Sequence, residues 1–227
     1  MNVIDLSAEI EENLWYYGSP YVPYHREQLA SIKENGYITN KHVMTSHTGT
    51  HMECDRHWRD DGDGIDQIDL LKVTGPAKVL RFSAGDTAYF RITEEMIRQE
   101  DNHRLKPGDI CIISTGWEEK IKQERYVWES PFLTPAAARY LADTGVKLVA
   151  LDTPMIGDPR DGMDFVPAGT VLPDCVLLDA GIPYILGLVN TKELPGECVF
   201  TGAPLKLKDA DGSPVRAFAL VDSPDER

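Results

Sequence analysis

Thirteen residues constrain this chain more than any others. Ser46 to Trp58, SHTGTHMECDRHW, hold three of its six histidines and two acids. His47 and His51 are four apart, but Thr48, Gly49 and Thr50 between them are poor helix formers. The spacing therefore predicts a turn that brings two imidazoles together. If the chain runs extended from His51, then His51, Glu53, Asp55 and His57 all point to one side, because strand side chains alternate. Four ionisable groups on one face repel, or demand heavy solvation, unless a cation sits among them. A divalent metal removes the conflict. Two neutral imidazoles and one carboxylate, with positions left for water, are the usual catalytic zinc set, and similar sets accept manganese or iron. His57, just outside that set, is placed to move protons. An HxxxH pair also arises by chance, and histidines beside acids are often merely solvated. The glycine turn, Glu53 and His57 together weigh against that plainer explanation.

The rest of the chain predicts one compact α/β domain over residues 1–227, with more strand than helix. Val3 to Leu6, Ala77 to Phe82, Asp109 to Ser114, Val146 to Leu151 and Ala217 to Val221 are apolar enough for strands. Val176 to Leu178 and Tyr184 to Val189 are further short apolar runs. Thr93 is placed to cap a short helix reaching about Glu100. Thr134-Pro135 opens another helix, which Gly145 stops. Asn35-Gly36 between Glu27 to Lys33 and Tyr37 to Ser46 predicts a hairpin, since both residues tolerate positive φ. Its second strand would lead straight into the histidine cluster.

Several function classes are excluded. With 23 basic and 37 acidic side chains the net charge is -14, which repels phosphate backbones, so nucleic acid is not an expected partner. There is no GxGxxG and no GxxxxGK[ST], so a nucleotide cofactor has no support. Asp60 to Asp66 has the acids of a calcium loop but neither its spacing nor its closing Glu, and reads as a polar turn. His25, His42 and His103 stand alone in polar surroundings and are expected at the surface. Trp58 suits either a pocket wall or the core. No apolar run of ~18 residues predicts a membrane span, and Met1 to Glu12 lacks the apolar stretch of a signal peptide. Cys54, Cys111, Cys175 and Cys198 show no CxxC spacing and suit a reducing, cytoplasmic setting, with Cys111 a small buried hydrophobe.

The segment His47-Thr-Gly49-Thr50-His51-Met-Glu53-Cys-Asp55-Arg-His57 resembles the H-x-G-T-H-x-D-x-P-x-H signature of the cyclase family of metal-dependent hydrolases, which includes kynurenine formamidases and isatin hydrolase. Val3 to Ser7, Leu105 to Asp109, Thr115 to Trp117, Leu151 to Pro154 and Asp211 to Arg216 resemble the family's other landmarks, so the likeness spans nearly the whole chain. It implies a swivelling β/β/α fold with a mixed sheet and a homodimer or homotetramer. It implies one divalent ion, zinc or manganese, on His47, His51 and Glu53, with His57 and Glu53 in catalysis. The implied reaction is hydrolysis of an amide or lactone bond of an aryl or cyclic small molecule through a metal-bound water. By the same analogy the stretch Trp15 to Tyr24 lines the pocket. The sequence departs from the pattern in four places: Glu53 replaces the family's Asp, Asp55 its Pro, and Asp174 and Leu186 stand where many relatives hold a second metal. Leu186 has no donor atom, so one ion is expected. The same departures motivate an alternative, a cyclase, dehydratase or isomerase that uses the metal as Lewis acid without water attack. A third possibility is a non-catalytic protein that keeps the fold.

Overall fold

The computed structural model describes residues 1–161 and 171–222. Its first half runs β1 (Asn2–Asp5), β2 (His25–Ala30), α1 (Ile32–Asn35), β3 (Thr39–Val43), β4 (His51–Glu53), β5 (Thr74–Arg81), β6 (Arg91–Ile92), α2 (Glu94–Asp101) and β7 (Ile110–Ser114). There follow α3 (Arg125–Trp128), β8 (Phe132–Leu133), α4 (Pro135–Thr144), β9 (Leu148–Leu151), α5 (Pro173–Asp179), β10 (Tyr184–Leu186), β11 (Glu197–Thr201), β12 (Gly212–Pro214) and β13 (Phe218–Val221). Nine strands form one mixed sheet in the order β1-β13-β11-β5-β7-β9-β10-β4-β12. β2 pairs with β3, and β6 with β8, in two small sheets of their own.

The centre of the large sheet, β5-β7-β9-β10, is parallel. Its inner strands β7 and β9 read as unbroken apolar runs because both faces are covered. Cys111, Ile113, Val149 and Leu151 pack with Ile97 of α2, Leu141 of α4 and Leu177 of α5. Their neighbours Ile110, Ile112, Leu148 and Ala150 point the other way, into a core that also holds Met52 and Ile185 from β4 and β10. Phe200 of β11 and Ala219 of β13 belong to that same core. Strands from both halves of the order meet there, so the sheet must curl over its own face. This is the mixed α/β architecture that the strand and helix signals predict.

Local chemistry sets the element ends. Thr134 accepts from the Ala137 amide at 3.2 Å, Pro135 opens α4, and Gly145 stops it in the left-handed conformation. At the end of β9, Asp152 accepts from the Thr115 amide, the Thr115 hydroxyl and the Gly116 amide at 2.8, 2.7 and 2.7 Å. That carboxylate ties the loop after β7 to the loop after β9, whose residues Pro154 to Gly157 wall the cavity described below.

Two expectations change. Asn35-Gly36 does not make a two-residue hairpin turn. Ser31 caps a single helical turn, accepting from the Glu34 amide at 3.3 Å, and Gly36 ends it at φ 79°. The strands still pair, with an irregularity between Gln28 and Ala30, but the helical turn separates them. The capping serine competes with the Asn-Gly preference and wins. Val176 to Leu178 belong not to a strand but to α5, which Pro173 opens.

β4 is held on both edges, by β10 and by β12. A Cβ at Gly212 would stand 2.7 Å from the Met52 carbonyl oxygen, a backbone atom that cannot yield without moving a strand. Gly212→Ala is therefore expected to lower the unfolding free energy by about 1–3 kcal/mol. The check is the urea midpoint of the purified variant against the parent.

Candidate metal centre

The turn predicted between the two histidines is present. Gly49 sits at φ +66°, and a Cβ there would meet Ile10 at 3.3 Å and Leu14 at 3.4 Å. Thr50 pins the turn: its hydroxyl donates to the Gly187 carbonyl at 2.6 Å and accepts from the Ala8 amide at 2.8 Å. His51 and Glu53 then share one face of β4 while Met52 enters the core between them. The extended run stops there. Asp55 to His57 form a 3-10 turn, which rotates Asp55 away to an ion pair with Arg59 and returns His57 to the cluster. The structure thus brings together His47, His51, Glu53 and His57, and leaves Asp55 outside.

His47 Nδ1 lies 3.0 Å and His51 Nε2 3.3 Å from Glu53 Oε1. The three donor atoms all lie within 4.8 Å of one another and all three residues are buried. Donors bound to one ion at about 2.1 Å stand roughly 3.0 to 3.4 Å apart, so the spacing suits a shared divalent ion. The outer ring nitrogens give a second test. Metal-bound imidazoles carry a proton on the other nitrogen and pass it to an acceptor. His51 Nδ1 faces the Gly49 carbonyl at 2.8 Å, and His47 Nε2 faces Asp211 Oδ2 at 2.7 Å. Both inner nitrogens are therefore free to bind. The residues fit a metal.

His47, His57 and Asp211 also lie close enough to form a ligand set. Their key contact, at 2.7 Å, is a hydrogen-bond length and shorter than the separation of two donors on one ion. Asp211 is better described as the carboxylate that orients both imidazoles. It accepts from the Ser46 hydroxyl at 2.8 Å and lies 3.3 Å from His57 Nδ1.

Charge explains the titration of the cluster. Burial alone would raise Glu53, but His57, His47 and His51 outweigh it and hold the carboxyl well below its usual range. Hydrogen bonds from His47 and His57 hold Asp211 low as well. Burial depresses His47, yet Asp211 and Glu53 prevail and push it up to about 9. Fully buried His51 is lowered. Without an ion, a proton on His47 supplies the positive charge between two carboxylates. A metal held by His47, His51 and Glu53 would take the place of that proton.

The cluster opens on a cavity of about 280 Å³. Tyr17, Tyr21 and Trp58 give it aromatic walls, so Trp58 faces the pocket, and part of the Trp15 to Tyr24 stretch does so too. Trp15 itself is buried behind His51. Asp174 and Leu186 line the same cavity. Tyr184 links Asp174 to the cluster: its hydroxyl donates to Glu53 Oε2 at 2.6 Å and lies 3.1 Å from Asp174 Oδ1. Sequence reasoning missed the parts played by Asp211 and Tyr184. Neither carries a local signal, because each meets β4 only through strand pairing. His25, His42 and His103 are exposed and distant from the cluster, as expected.

A curled mixed sheet that buries two imidazoles and a glutamate beside an aromatic cavity defines a metal-dependent hydrolase. Residues 4–158 match the family model described as "Putative cyclase", and the chain belongs to that family. It is 28% identical over 216 residues to the kynurenine formamidase of Geobacillus thermodenitrificans, covering 94% of this chain and 95% of the relative. It is 33% identical over 187 residues to that of Salinibacter ruber, covering 80% and 79%. Isatin hydrolase A from Labrenzia aggregata, solved with benzyl benzoate, superposes with a TM-score of 0.86 at 24% identity over 98% of this chain and 94% of its own. A structure titled "Potential Metal-Dependent Hydrolase With Cyclase Activity" gives 0.76 at 27% identity over 98% and 99%. These relatives do not favour Lewis-acid chemistry without water attack. Among the described residues no helix is long and apolar enough to cross a membrane.

Removing the carboxylate behind His47 is expected to weaken metal binding on the order of 10- to 100-fold in Asp211→Ala. His51→Ala is expected to retain no metal. Competition against a coloured chelator, with elemental analysis of both purified variants, measures the two effects.

Proposed function

We propose that this chain hydrolyses the amide bond of an aryl or cyclic small molecule, using one divalent ion, zinc or manganese, held by His47, His51 and Glu53. The observation that carries this reading is the convergence of His47 Nδ1 and His51 Nε2 on Glu53 Oε1, with both outer ring nitrogens already occupied. A divalent ion at that point supplies Lewis acidity, acidifying a water and polarising a carbonyl. The protein's own groups do the rest. The Asp211 carboxylate faces His57 Nδ1 at 3.3 Å and so favours the proton on that nitrogen. Nε2 is then an open base beside Glu53 Oε2, 3.6 Å away, on the cavity wall. There it takes a proton from the attacking water and returns it to the departing nitrogen. The phenol of Tyr184 fixes Glu53 by donating to Oε2. Tyr17, Tyr21 and Trp58 form an apolar slot for a flat ring.

The chain acts as one domain over residues 1–227 and as a homodimer or homotetramer. The β2–β3 hairpin supports assembly. Leu29, Ile32, Tyr37 and Ile38 are 57 to 67% exposed on it. Residues 25–44 hold three basic and two acidic side chains, a net +1, which leaves -15 for the remainder of the -14 chain. A weakly cationic apolar arm matches the acidic body of a second copy. The four free thiols suit a cytoplasmic setting.

Protein loaded with zinc or manganese is expected to turn over an aryl formamide or a cyclic imide. Failure of the metal-loaded protein on a broad panel of such substrates sinks the reading. His57→Ala is expected to lower kcat on the order of 10²- to 10⁴-fold while metal content stays unchanged. Tyr37→Glu combined with Ile38→Glu is expected to shift the protein to monomer, read by light scattering on a sizing column.

A further inference from the structure

Asp174 stands out among the cavity residues because, among the described residues, no other residue bonds Oδ2 of its carboxyl group. It is 8% exposed and lies in α5, away from the histidine segment. Oδ1 meets the Tyr184 hydroxyl at 3.1 Å. Apart from that contact and a bond to its own backbone amide, the carboxyl has no other partner among the described residues, and Asp174 lines the cavity. The space before it is kept open by Gly157, where a Cβ would stand 3.1 Å from Oδ2. Gly157 also lines the cavity and has no left-handed backbone that would call for glycine. Its lack of a side chain therefore matters for the room it leaves.

The hydrogen-bond count at Tyr184 defines what Oδ2 can do. Trp58 Nε1 can only donate, and it donates to the Tyr184 oxygen at 3.2 Å. The single hydroxyl proton goes to Glu53 Oε2, the shorter contact at 2.6 Å. With Oδ1 turned to Tyr184, Oδ2 is an acceptor when Asp174 is ionised or carries its proton on Oδ1. It is fixed by the same phenol that fixes Glu53, so it faces the space next to the reacting centre. An acceptor on the cavity wall at that place suits an N–H of the substrate.

We propose that Asp174 is a substrate-contacting specificity residue whose Oδ2 accepts the N–H of the scissile amide, so that the site prefers amides to the matching esters. This rests on the hydrolytic reading above. An ester offers no N–H to that oxygen, and sites built around such a bond discriminate strongly against ligands that lack it. Gly157 admits the substrate nitrogen to that oxygen.

The experiment compares kcat/KM for an aryl formamide and the matched aryl formate ester, in the parent, Asp174→Ala and Gly157→Ala, all metal-loaded. Both variants are expected to lose on the order of 10- to 100-fold on the formamide, with less than about threefold change on the ester. Damage to Glu53 or to metal binding slows both substrates together and leaves their ratio in place, so the ratio isolates the contact. An unchanged ratio in a folded variant overturns the proposal. If Asp174→Ala does not fold, Gly157→Ala decides alone, because it crowds Oδ2 while leaving the carboxyl group in the chain. A parent enzyme that cleaves neither substrate is a different result: it removes the hydrolytic reading itself, and this inference with it.

Discussion

The structure turns on an electrostatic requirement at one buried point. Glu53 and Asp211 converge on His47, with His51 and His57 packed alongside, and of these His47, His51 and Glu53 are buried. Such a group of charges is costly to bury unless positive charge sits between the carboxylates. In the free protein a proton on His47 meets the need. A divalent ion between His47, His51 and Glu53, as proposed, would meet it better, since it would satisfy three donors at once. The outer ring nitrogens of His47 and His51 already face acceptors, the arrangement that metal-bound imidazoles adopt.

The architecture exists in good part to hold a three-residue strand still. β4 is too short to be stable alone, and it gains its position from β10 on one edge and β12 on the other. Those neighbours also bring chemistry. β12 follows directly on Asp211, which orients two imidazoles. β10 begins at Tyr184, which links Glu53 to Asp174. The parallel centre of the sheet contributes rigidity, because both of its faces are sealed by apolar side chains. Side chains on strands held in this way keep their geometry better than side chains on free loops.

Much of this was legible before any coordinates. The apolar runs of β7 and β9 stand out because strands buried on both faces carry no polar alternation to dilute the signal. The caps of α2 and α4 were legible because Thr93 and Thr134 act on amides only three residues away. The hairpin turn was misread for an equally local reason: two turn signals, Ser31 and Asn35-Gly36, overlap, and the sequence does not rank them. Asp55 was misplaced because alternation holds only while the strand lasts, and β4 ends at Glu53.

The sequence alone determined that two imidazoles would meet across a glycine turn with a glutamate beside them, because that geometry is built within seven residues. It could not determine what stands behind them. Asp211 is 164 residues from His47, and Tyr184 is 131 from Glu53. Only the curl and strand order of the sheet make them neighbours. Hydrogen bonds over such separations follow from packing, and packing is a property of the folded chain as a whole.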